Sequence, residues 1–212
     1  MNIFIYGDSN TWGYIPNING YSKDAIPQRY PLEQIWWYNL SKKHSVVVNG
    51  LCGRTINSDD PWITGRNATK TFDQDFNDIE NTDLCIIQLG TNDCKSRFAL
   101  SSEEICFQME NFIQQIRSKT NAKLLLISPP FIKRGTPITD KYYVGAEEKS
   151  QKLDIGYKVL SKRLNLSFAS ALNLEVGEDG EHLTKASHGL LGQAVEKEIE
   201  KLLAKKKESK ML

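Results

Sequence analysis

Residues 2–14, NIFIYGDSNTWGY, begin with an apolar run and end in a loop of small and polar residues. The run Asn2–Tyr6 predicts a strand buried on both faces, because it lacks the polar–apolar alternation of a half-exposed strand. The loop Gly7–Tyr14 follows it directly. A strand of this kind is typical of a parallel sheet covered by helices on each side. The stretch therefore indicates an α/β architecture.

The rest of the chain repeats this alternation of short apolar runs with longer amphipathic ones. Further strands are predicted at Ser45–Val48, Asp83–Gln88, Lys123–Ile127 and Ser167–Ser170. Helices are predicted at Pro31–Lys42, Ser101–Lys119, Ala146–Leu164 and Lys185–Ala204. Right-handed crossovers then predict a three-layer α/β/α sandwich around a flavodoxin-like, five-stranded parallel sheet. We expect one domain over residues 1–212, with a basic tail at about 205–212.

Composition excludes several classes of protein. The 212 residues carry a net charge of only +1, which argues against nucleic acid as a partner, since neutralising phosphates needs a basic face. No window approaches the roughly 20 apolar residues of a membrane span, so no membrane association is expected. The N-terminus lacks the basic start and cleavage site of a signal peptide, and the cytoplasm is the expected compartment. The four cysteines form no CxxC pair and no metal-ligand spacing with histidine. We expect free thiols, no metal and no cofactor.

Chemically capable residues follow the predicted strands at their carboxyl ends, where parallel α/β sheets carry their sites. In chain order these loops are Gly7–Tyr14, Asn49–Thr55, Gly90–Asp93, Ser128–Pro130 and Asp179–Thr184. Together they hold a serine, glycine-flanked backbone amides, an asparagine amide and an Asp-x-x-His pair. Acyl transfer needs a nucleophile, a base, a group that orients the base, and donors for an oxyanion. The set of loops therefore favours acyl-transfer chemistry.

Each residue taken alone also has an ordinary structural interpretation. Gly7-Asp8-Ser9 is a common turn and could cradle a phosphate at a helix start, although neither GxxxxGK[ST] nor GxGxxG occurs. Asn92 could be a turn residue, and His182 could cap a helix. The combination outweighs these interpretations, because all the loops obey one topological rule and their chemical roles are complementary.

The motifs resemble, in order, those of the SGNH branch of the GDSL esterase/lipase superfamily. Block I corresponds to Gly7-Asp8-Ser9, block II to the glycine within Asn49–Arg54, block III to Gly90–Asp93, and block V to Asp179–His182. The GxSxG elbow of the ordinary α/β-hydrolases is absent. The stretches that further resemble the arylesterase-like subgroup are Gly7–Tyr14, Asp59-Asp60-Pro61, Gly65-Arg66-Asn67, Gly90–Lys95 and Ser128–Pro130. This resemblance implies hydrolysis of small acyl esters, with acyl transfer to alcohols in some members.

Ser9 is the predicted nucleophile, and it needs a base because a serine hydroxyl is a weak nucleophile at neutral pH. His182 is the predicted base, since its ordinary pKa of about 6.5 suits proton transfer near neutrality. Asp179, three residues earlier, is predicted to orient the imidazole and to stabilise its charged form. Together these residues make the predicted catalytic triad.

The predicted oxyanion hole combines the backbone N–H groups of Ser9 and Gly53 with the side-chain amide of Asn92. Gly50 is an alternative to Gly53, and the resemblance favours Gly53, where the subgroup has a small residue before Arg-Thr. Two acidic neighbours are predicted to structure their loops rather than to catalyse: Asp8 and Asp93.

The candidate pocket residues are Trp12, Phe98, Phe131 and Ile132, with ordinary loop packing as the alternative. The long segment Ile132–Gly145 is expected to form a lid or a subunit contact. The resemblance implies a homo-oligomer, to which Trp36-Trp37-Tyr38 could contribute an interface. His44 and His188 are expected to be structural. Bulky thiol reagents could block the site at two positions beside it, Cys52 and Cys94.

Three functions compete for this pattern. The first is a serine ester hydrolase that acts on a small-molecule ester, with acyl transfer as a variant. The second is a catalytically inactive binding module of the same fold, and the third is a nucleotide or flavin binder that uses Gly7–Gly13 as an anion site. The first is favoured because every expected catalytic residue type is present. The motifs leave open the natural ester, its acyl-chain length, and the choice between hydrolysis and transfer.

Overall fold

Parallel strands form the centre of the computed structural model, which describes residues 1–17, 27–76 and 81–208. The strands are β1 (Asn2–Gly7), β2 (Ser45–Gly50), β3 (Leu84–Gln88), β4 (Lys123–Ile127) and β5 (Ser167–Ala169). Their spatial order is β2-β1-β3-β4-β5, the flavodoxin-like order. The predicted fold class is thereby confirmed, and each observed strand lies within two residues of its predicted ends.

Helices cover both faces of the sheet. Within the described residues the α-helices are α1 (Ser9–Trp12), α2 (Tyr38–Ser41), α3 (Ala68–Phe76), α4 (Ser102–Lys119), α5 (Pro137–Tyr142), α6 (Ala146–Arg163) and α7 (Lys185–Glu208). The last four residues of the predicted basic tail, 209–212, lie outside the described residues. Among the described helices, none combines the length and the apolar composition needed to cross a bilayer.

Two hydrophobic clusters sandwich the sheet, because successive strand residues point to opposite faces. On one face Phe4 and Ile87 pack with side chains of α3, α4 and α6. On the other face Ile5 and Ile86 pack with side chains of α2 and α7. All five residues of β3 are buried, as the continuous apolar run predicted.

The predicted start of α4 is confirmed in atomic detail. Ser101 Oγ accepts a hydrogen bond from the Glu104 N–H at 3.1 Å, and the Ser101 N–H donates to Glu104 Oε2 at 2.8 Å. This reciprocal capping box satisfies donors that would otherwise lack a partner at the helix start. The predicted apolar stripe, Ile105, Met109, Phe112 and Ile116, is buried.

The prediction of a continuous helix over Pro31–Lys42 is wrong. The segment forms a 3₁₀ turn at Leu32–Gln34, an extended residue at Ile35 with ψ of 142°, and then the short helix α2. Leu32, expected on the buried face, is 47% exposed.

Tertiary hydrogen bonds explain this break. The Trp36 indole N–H donates to Gln88 Oε1 at 3.1 Å, and the Trp37 indole N–H donates to the Thr11 carbonyl at 2.8 Å. Both indoles are buried within the chain, at 2% and 7% exposure, and a regular helix would turn them apart. The same burial overturns the expectation that these two tryptophans form a subunit interface.

Candidate active site

β1 leads directly into the short helix that carries Ser9. A Cβ added to Gly7 would lie 2.0 Å from Thr11 Oγ1, so a glycine is needed where α1 begins against the strand end. Asp8 is the N-cap of α1, and its Oδ1 accepts from the Asn10 N–H at 2.9 Å. Ser9 is therefore the first residue of a helix, at the carboxyl edge of the sheet.

Ser9, His182 and Asp179 form one continuous chain of hydrogen bonds. Ser9 Oγ lies 2.8 Å from His182 Nε2, and His182 Nδ1 lies 2.8 Å from Asp179 Oδ2. An ionised carboxylate can only accept, so Nδ1 carries the ring proton and Nε2 is left to accept from the serine hydroxyl. Each of the three residues is 1% exposed. The structure thus brings the three predicted triad residues together, 173 residues apart in sequence at the Ser9–His182 contact.

At both His182 and Asp179, burial and the neighbouring charges shift the pKa in opposite directions. Burial by itself lowers the pKa of His182, but the carboxylates of Glu181, Asp179 and Asp8 outweigh it, so the net shift is upward. Burial raises the pKa of Asp179, and the hydrogen bond and charge of His182 outweigh that effect, so the net shift is downward. The arrangement therefore favours an ionised Asp179 and stabilises a protonated imidazole beside it.

Two residues that the sequence analysis missed hold His182 in place. The Asn10 side chain links α1 to the histidine loop: its Nδ2 donates to the Glu181 carbonyl at 3.3 Å, and its Oδ1 accepts from the Leu183 N–H at 2.9 Å. The Tyr14 ring stacks on the imidazole at 4.3 Å between centroids. Both lie in the loop that the sequence analysis singled out, so their position was the available signal.

Asn92 lies beside the loop that contains Gly53. Its Nδ2 donates to the carbonyl of Arg54 at 3.0 Å, and its Oδ1 accepts from Lys95 Nζ at 2.6 Å. Gly53 is buried and has a φ of +82°, which favours glycine. Within the described residues, the backbone N–H groups of Ser9 and Gly53 have no hydrogen-bond acceptor.

The two candidate glycines of this loop differ in their surroundings. A Cβ added to Gly50 would lie 2.6 Å from the Trp12 backbone nitrogen, so this glycine allows α1 to cross the end of β2. A Cβ added to Gly53 would meet only the Arg66 side chain, at 3.6 Å or more. Close packing against Trp12 thus requires a glycine at position 50, whereas the positive φ favours a glycine at position 53.

Asp8 and Asp93 support the loops, in line with the prediction. Asp93 Oδ1 accepts from the Ile56 N–H at 2.9 Å, and so ties the Asn92 loop to the Gly53 loop. Burial raises the pKa of Asp8 to about 6 and that of Asp93 to about 7. The Asp8 and Asp93 carboxylates accept from backbone N–H groups and are not members of the hydrogen-bonded chain of three.

Arg54 is a further residue that the sequence analysis passed over. It is 1% exposed, and its Nη1 donates to the carbonyls of Gly7 at 2.8 Å and Asn49 at 2.6 Å. Its guanidinium lies 3.9 Å from the centre of the Tyr6 ring. Arg54 therefore clamps the carboxyl ends of β1 and β2, from which the Ser9 and Gly53 loops emerge.

The segment Ile132–Gly145, expected to form a lid or a subunit contact, is fastened to the histidine loop by buried hydrogen bonds. The Thr136 hydroxyl donates to the Asp179 carbonyl at 2.9 Å, and the Lys133 N–H donates to the Gly180 carbonyl at 2.8 Å. The Tyr143 hydroxyl donates to the Glu181 carboxylate. These buried contacts fasten the segment to residues 179–182.

The four candidate pocket residues differ in how far they are buried. Trp12, Phe98 and Phe131 are partly exposed, as pocket-lining residues are. Ile132 is 1% exposed and packs in the core cluster of α4 and α6, which favours the alternative of ordinary packing for this residue. The Ile132 N–H donates to Ser150 Oγ on α6 at 3.2 Å.

The remaining histidines and cysteines lie outside the chain of three. His188 is fully buried in α7 against Tyr30, with ring centroids 5.4 Å apart, and His44 precedes β2. Burial raises the pKa of Cys52 to about 12 and also raises that of Cys94. Thiols held protonated in this way react slowly with alkylating reagents.

Comparisons with known proteins agree with this geometry. The sequence profile of the GDSL-like lipase/acylhydrolase family matches residues 5–190. The structure of an aryl esterase from M. smegmatis is similar at 28% identity and a TM-score of 0.86, over 95% of this chain and 99% of that one. A carbohydrate acetylesterase from Sinorhizobium meliloti is similar at 29% identity and a TM-score of 0.85, over the same shares of the two chains. No protein of curated function matches the sequence significantly. The chain belongs to the GDSL-like lipase/acylhydrolase family and is a serine esterase of the SGNH type.

Proposed function

We propose that the chain hydrolyses short-chain acyl esters through an acyl-enzyme on Ser9. The observation that carries the proposal is the buried chain from Ser9 Oγ through His182 to Asp179, with both contacts at 2.8 Å. A nucleophile, a base and an orienting carboxylate in this geometry are the parts of a serine acyl-transfer site.

In the first step, Ser9 Oγ attacks the ester carbonyl carbon while His182 Nε2 takes the hydroxyl proton. Asp179 accepts the hydrogen bond of Nδ1–H, which holds the correct tautomer and stabilises the imidazolium. The tetrahedral intermediate collapses when His182 returns the proton to the departing alkoxide. The products of this half-reaction are the alcohol and an ester of Ser9.

In the second step, water attacks the acyl-enzyme while His182 again takes the proton. Collapse releases the carboxylic acid and restores the Ser9 hydroxyl. An alcohol in place of water would give a new ester by the same sequence of bonds, so acyl transfer is a variant of this mechanism. The balance between the two depends on how well the site excludes water.

The developing oxyanion needs preorganised donors in both steps. We assign this role to the N–H groups of Ser9 and Gly53 and to the side-chain amide of Asn92. Support comes from the position of Asn92 against the Gly53–Arg54 peptide and from the acceptor-free N–H groups of Ser9 and Gly53 within the described residues.

The proposed substrates are small, short-chain esters. The names of the two similar structures, an aryl esterase and a carbohydrate acetylesterase, support this class. The partly exposed aromatic residues Trp12, Phe98 and Phe131 are the proposed lining for the acyl or alcohol group. A cytoplasmic location and a homo-oligomer stay predictions from the sequence.

The test is hydrolysis of p-nitrophenyl esters from acetate to octanoate by the wild type and by Ser9→Ala. Ser118→Ala, an exposed serine on α4, is the matched control and should keep full activity. We expect rates to fall with chain length and activity to vanish in Ser9→Ala. An activated phosphonate ester should phosphonylate Ser9 with loss of its leaving group. The mass of the phosphonyl group should then appear on the intact protein and, after digestion, on the peptide that contains Ser9.

Two results would contradict the proposal. Equal rates in the wild type and Ser9→Ala would place the nucleophile elsewhere. No turnover of any ester by folded wild type, together with no phosphonate adduct, would favour the inactive binding module.

A further inference from the structure

Lys95 is a buried cation that the proposed mechanism does not use. It is only 6% exposed, and its ammonium donates to Asn92 Oδ1 at 2.6 Å. The 3₁₀ turn Asn92–Cys94 brings the two side chains together, since the Lys95 N–H also donates to the Asn92 carbonyl at 3.2 Å. Burying a charge is costly unless its partners compensate, so this placement calls for a reason.

The hydrogen bonds of Asn92 determine which way its amide points. Lys95 can only donate, so it must face the amide oxygen, and the Arg54 carbonyl can only accept, so it must face the amide nitrogen. One N–H is used by Arg54 at 3.0 Å. The remaining N–H of Asn92 is left for a ligand, and the amide cannot flip without breaking both bonds.

Charged and polar neighbours hold Lys95 in this position. Burial lowers the pKa of Lys95, and the carboxylates of Glu181 and Asp60 act in the opposite direction. Glu181 accepts from the Tyr143 hydroxyl, and the Tyr143 ring lies 5.7 Å from Lys95 Nζ. Glu181 is also adjacent in sequence to His182. The network therefore connects the Asn92 loop to the histidine loop.

We propose that Lys95 is a positioning residue of the ester-hydrolysing site, where its ammonium orients and polarises the Asn92 amide as an oxyanion donor. The inference rests on the proposed function and extends it to a residue that never touches the ester. A charge-assisted bond to the amide oxygen withdraws electron density and strengthens the N–H as a donor. It also removes the need for the amide to reorient when the oxyanion forms.

A double-mutant cycle tests this inference. We would measure kcat and KM for p-nitrophenyl acetate in the wild type, Lys95→Met, Asn92→Ala and the double variant. If Lys95 acts through Asn92, Lys95→Met lowers kcat about 10- to 100-fold with little change in KM, and lowers it less than about 3-fold once Asn92 is alanine. Lys95→Arg, which keeps a cationic donor, should recover part of kcat.

The matched control is Lys152→Met, which removes an exposed ion pair with Glu148 on α6 and should leave kcat unchanged. If Lys95→Met fails to fold, the charge-balanced Lys95→Met/Glu181→Gln is compared with Glu181→Gln alone, above the pH at which His182 titrates. Adding Asn92→Ala to both of these variants completes the same double-mutant cycle, in which the loss of kcat caused by Lys95→Met is compared with and without Asn92.

The outcomes separate this inference from the proposed function. Ser9-dependent hydrolysis with an unchanged kcat in Lys95→Met overturns the role of Lys95 alone. An equal loss in the wild-type and Asn92→Ala backgrounds also overturns it, since Lys95 would then act through another group. Absence of Ser9-dependent hydrolysis in folded wild type overturns the proposed function, and this inference with it.

Discussion

The two sides of Ser9 are built in different ways. On the acid–base side, Asp179 and His182 lie three residues apart, and the Asp179 carboxylate binds the N–H groups of its own turn as well as the imidazole. On the oxyanion side, Asn92 and Gly53 come from separate loops, joined by the bond from Asn92 to Arg54 across 38 residues. The Asp179–His182 pair is itself a local turn, which long-range bonds from Asn10 and Thr136 fasten in place. The oxyanion side exists only when distant loops are packed together.

This difference predicts how the activity and stability of the protein should respond to substitutions on each side. A local turn keeps its backbone when one side chain is changed, so its variants report chemistry. A junction of loops is held by a few long-range bonds, so its variants report both chemistry and packing. The predictions below run from the largest expected effect to the smallest, and each either sharpens or breaks this contrast.

Asp179→Asn should have the largest effect on the acid–base side. The amide nitrogen would face Nδ1 as a donor, which favours the wrong imidazole tautomer, and kcat should fall about 10⁴-fold. The backbone of the turn should survive, so the melting temperature should change little. Asp73→Asn, at an exposed ion pair with Lys119, is the control for charge removal. A loss below about tenfold would show that Asp179 does not set the tautomer.

Asn92→Ala should cost less activity, because one of several oxyanion donors is removed. We expect kcat to fall about 10²- to 10³-fold with KM nearly constant. It also frees the Arg54 carbonyl and the Lys95 ammonium, so it should lower the melting temperature more than Asp179→Asn does. The reverse order of melting temperatures would break the contrast between a local and a non-local side.

The pH profile of kcat/KM should change with substitutions on the acid–base side and not with those on the oxyanion side. His182 must be neutral to accept the proton, so activity rises with pH through its pKa, which lies above the ordinary 6.5. Glu181→Gln removes the largest upward contribution to that pKa, so the acid limb should move to lower pH. Asn92→Ala should leave the limb in place. A limb unmoved in Glu181→Gln would show that another group controls it.

His188→Gln should have the smallest effect on activity and should be visible in stability alone. Burial, with a smaller contribution from His182, lowers the pKa of His188 to about 4. The unfolded chain therefore takes up this proton first as pH falls, so stability is complete above about pH 6.5 and lost toward pH 4. Wild type should lose about 2 kcal/mol from this group between pH 7 and pH 5.

Urea unfolding at pH 7 and pH 5 measures this loss. The glutamine variant cannot titrate, so its stability should fall by less over the same interval. An identical fall in both proteins would contradict the assigned cause.

Much of the fold could be predicted from the sequence, for reasons that are local. The three central strands β1, β3 and β4 are short apolar runs that are buried, and the two edge strands β2 and β5 are less so. The alternation of all five strands with helices specifies a parallel sheet. The start of α4 was predictable because Ser101 and Glu104 satisfy each other within one turn. Ser9 and the Asp-x-x-His pair were predictable because each lies just past a strand end, and strand ends meet at one edge.

Only the tertiary structure decided which neighbours complete each local motif. The break at Ile35 follows from partners on β3 and α1 that two indoles reach, and helical periodicity cannot anticipate such partners. Asn10 lies in a loop that the sequence singles out, but its role depends on partners 171 and 173 residues away. Lys95 binds Asn92 only three residues away, and its neighbours Glu181 and Tyr143 come from distant loops. Tyr143 and Thr136 support the histidine loop from the segment expected to form a lid or a subunit contact. Local propensity and strand order therefore came from the sequence, while long-range hydrogen bonds, which depend on the packed fold, determined how the site is held.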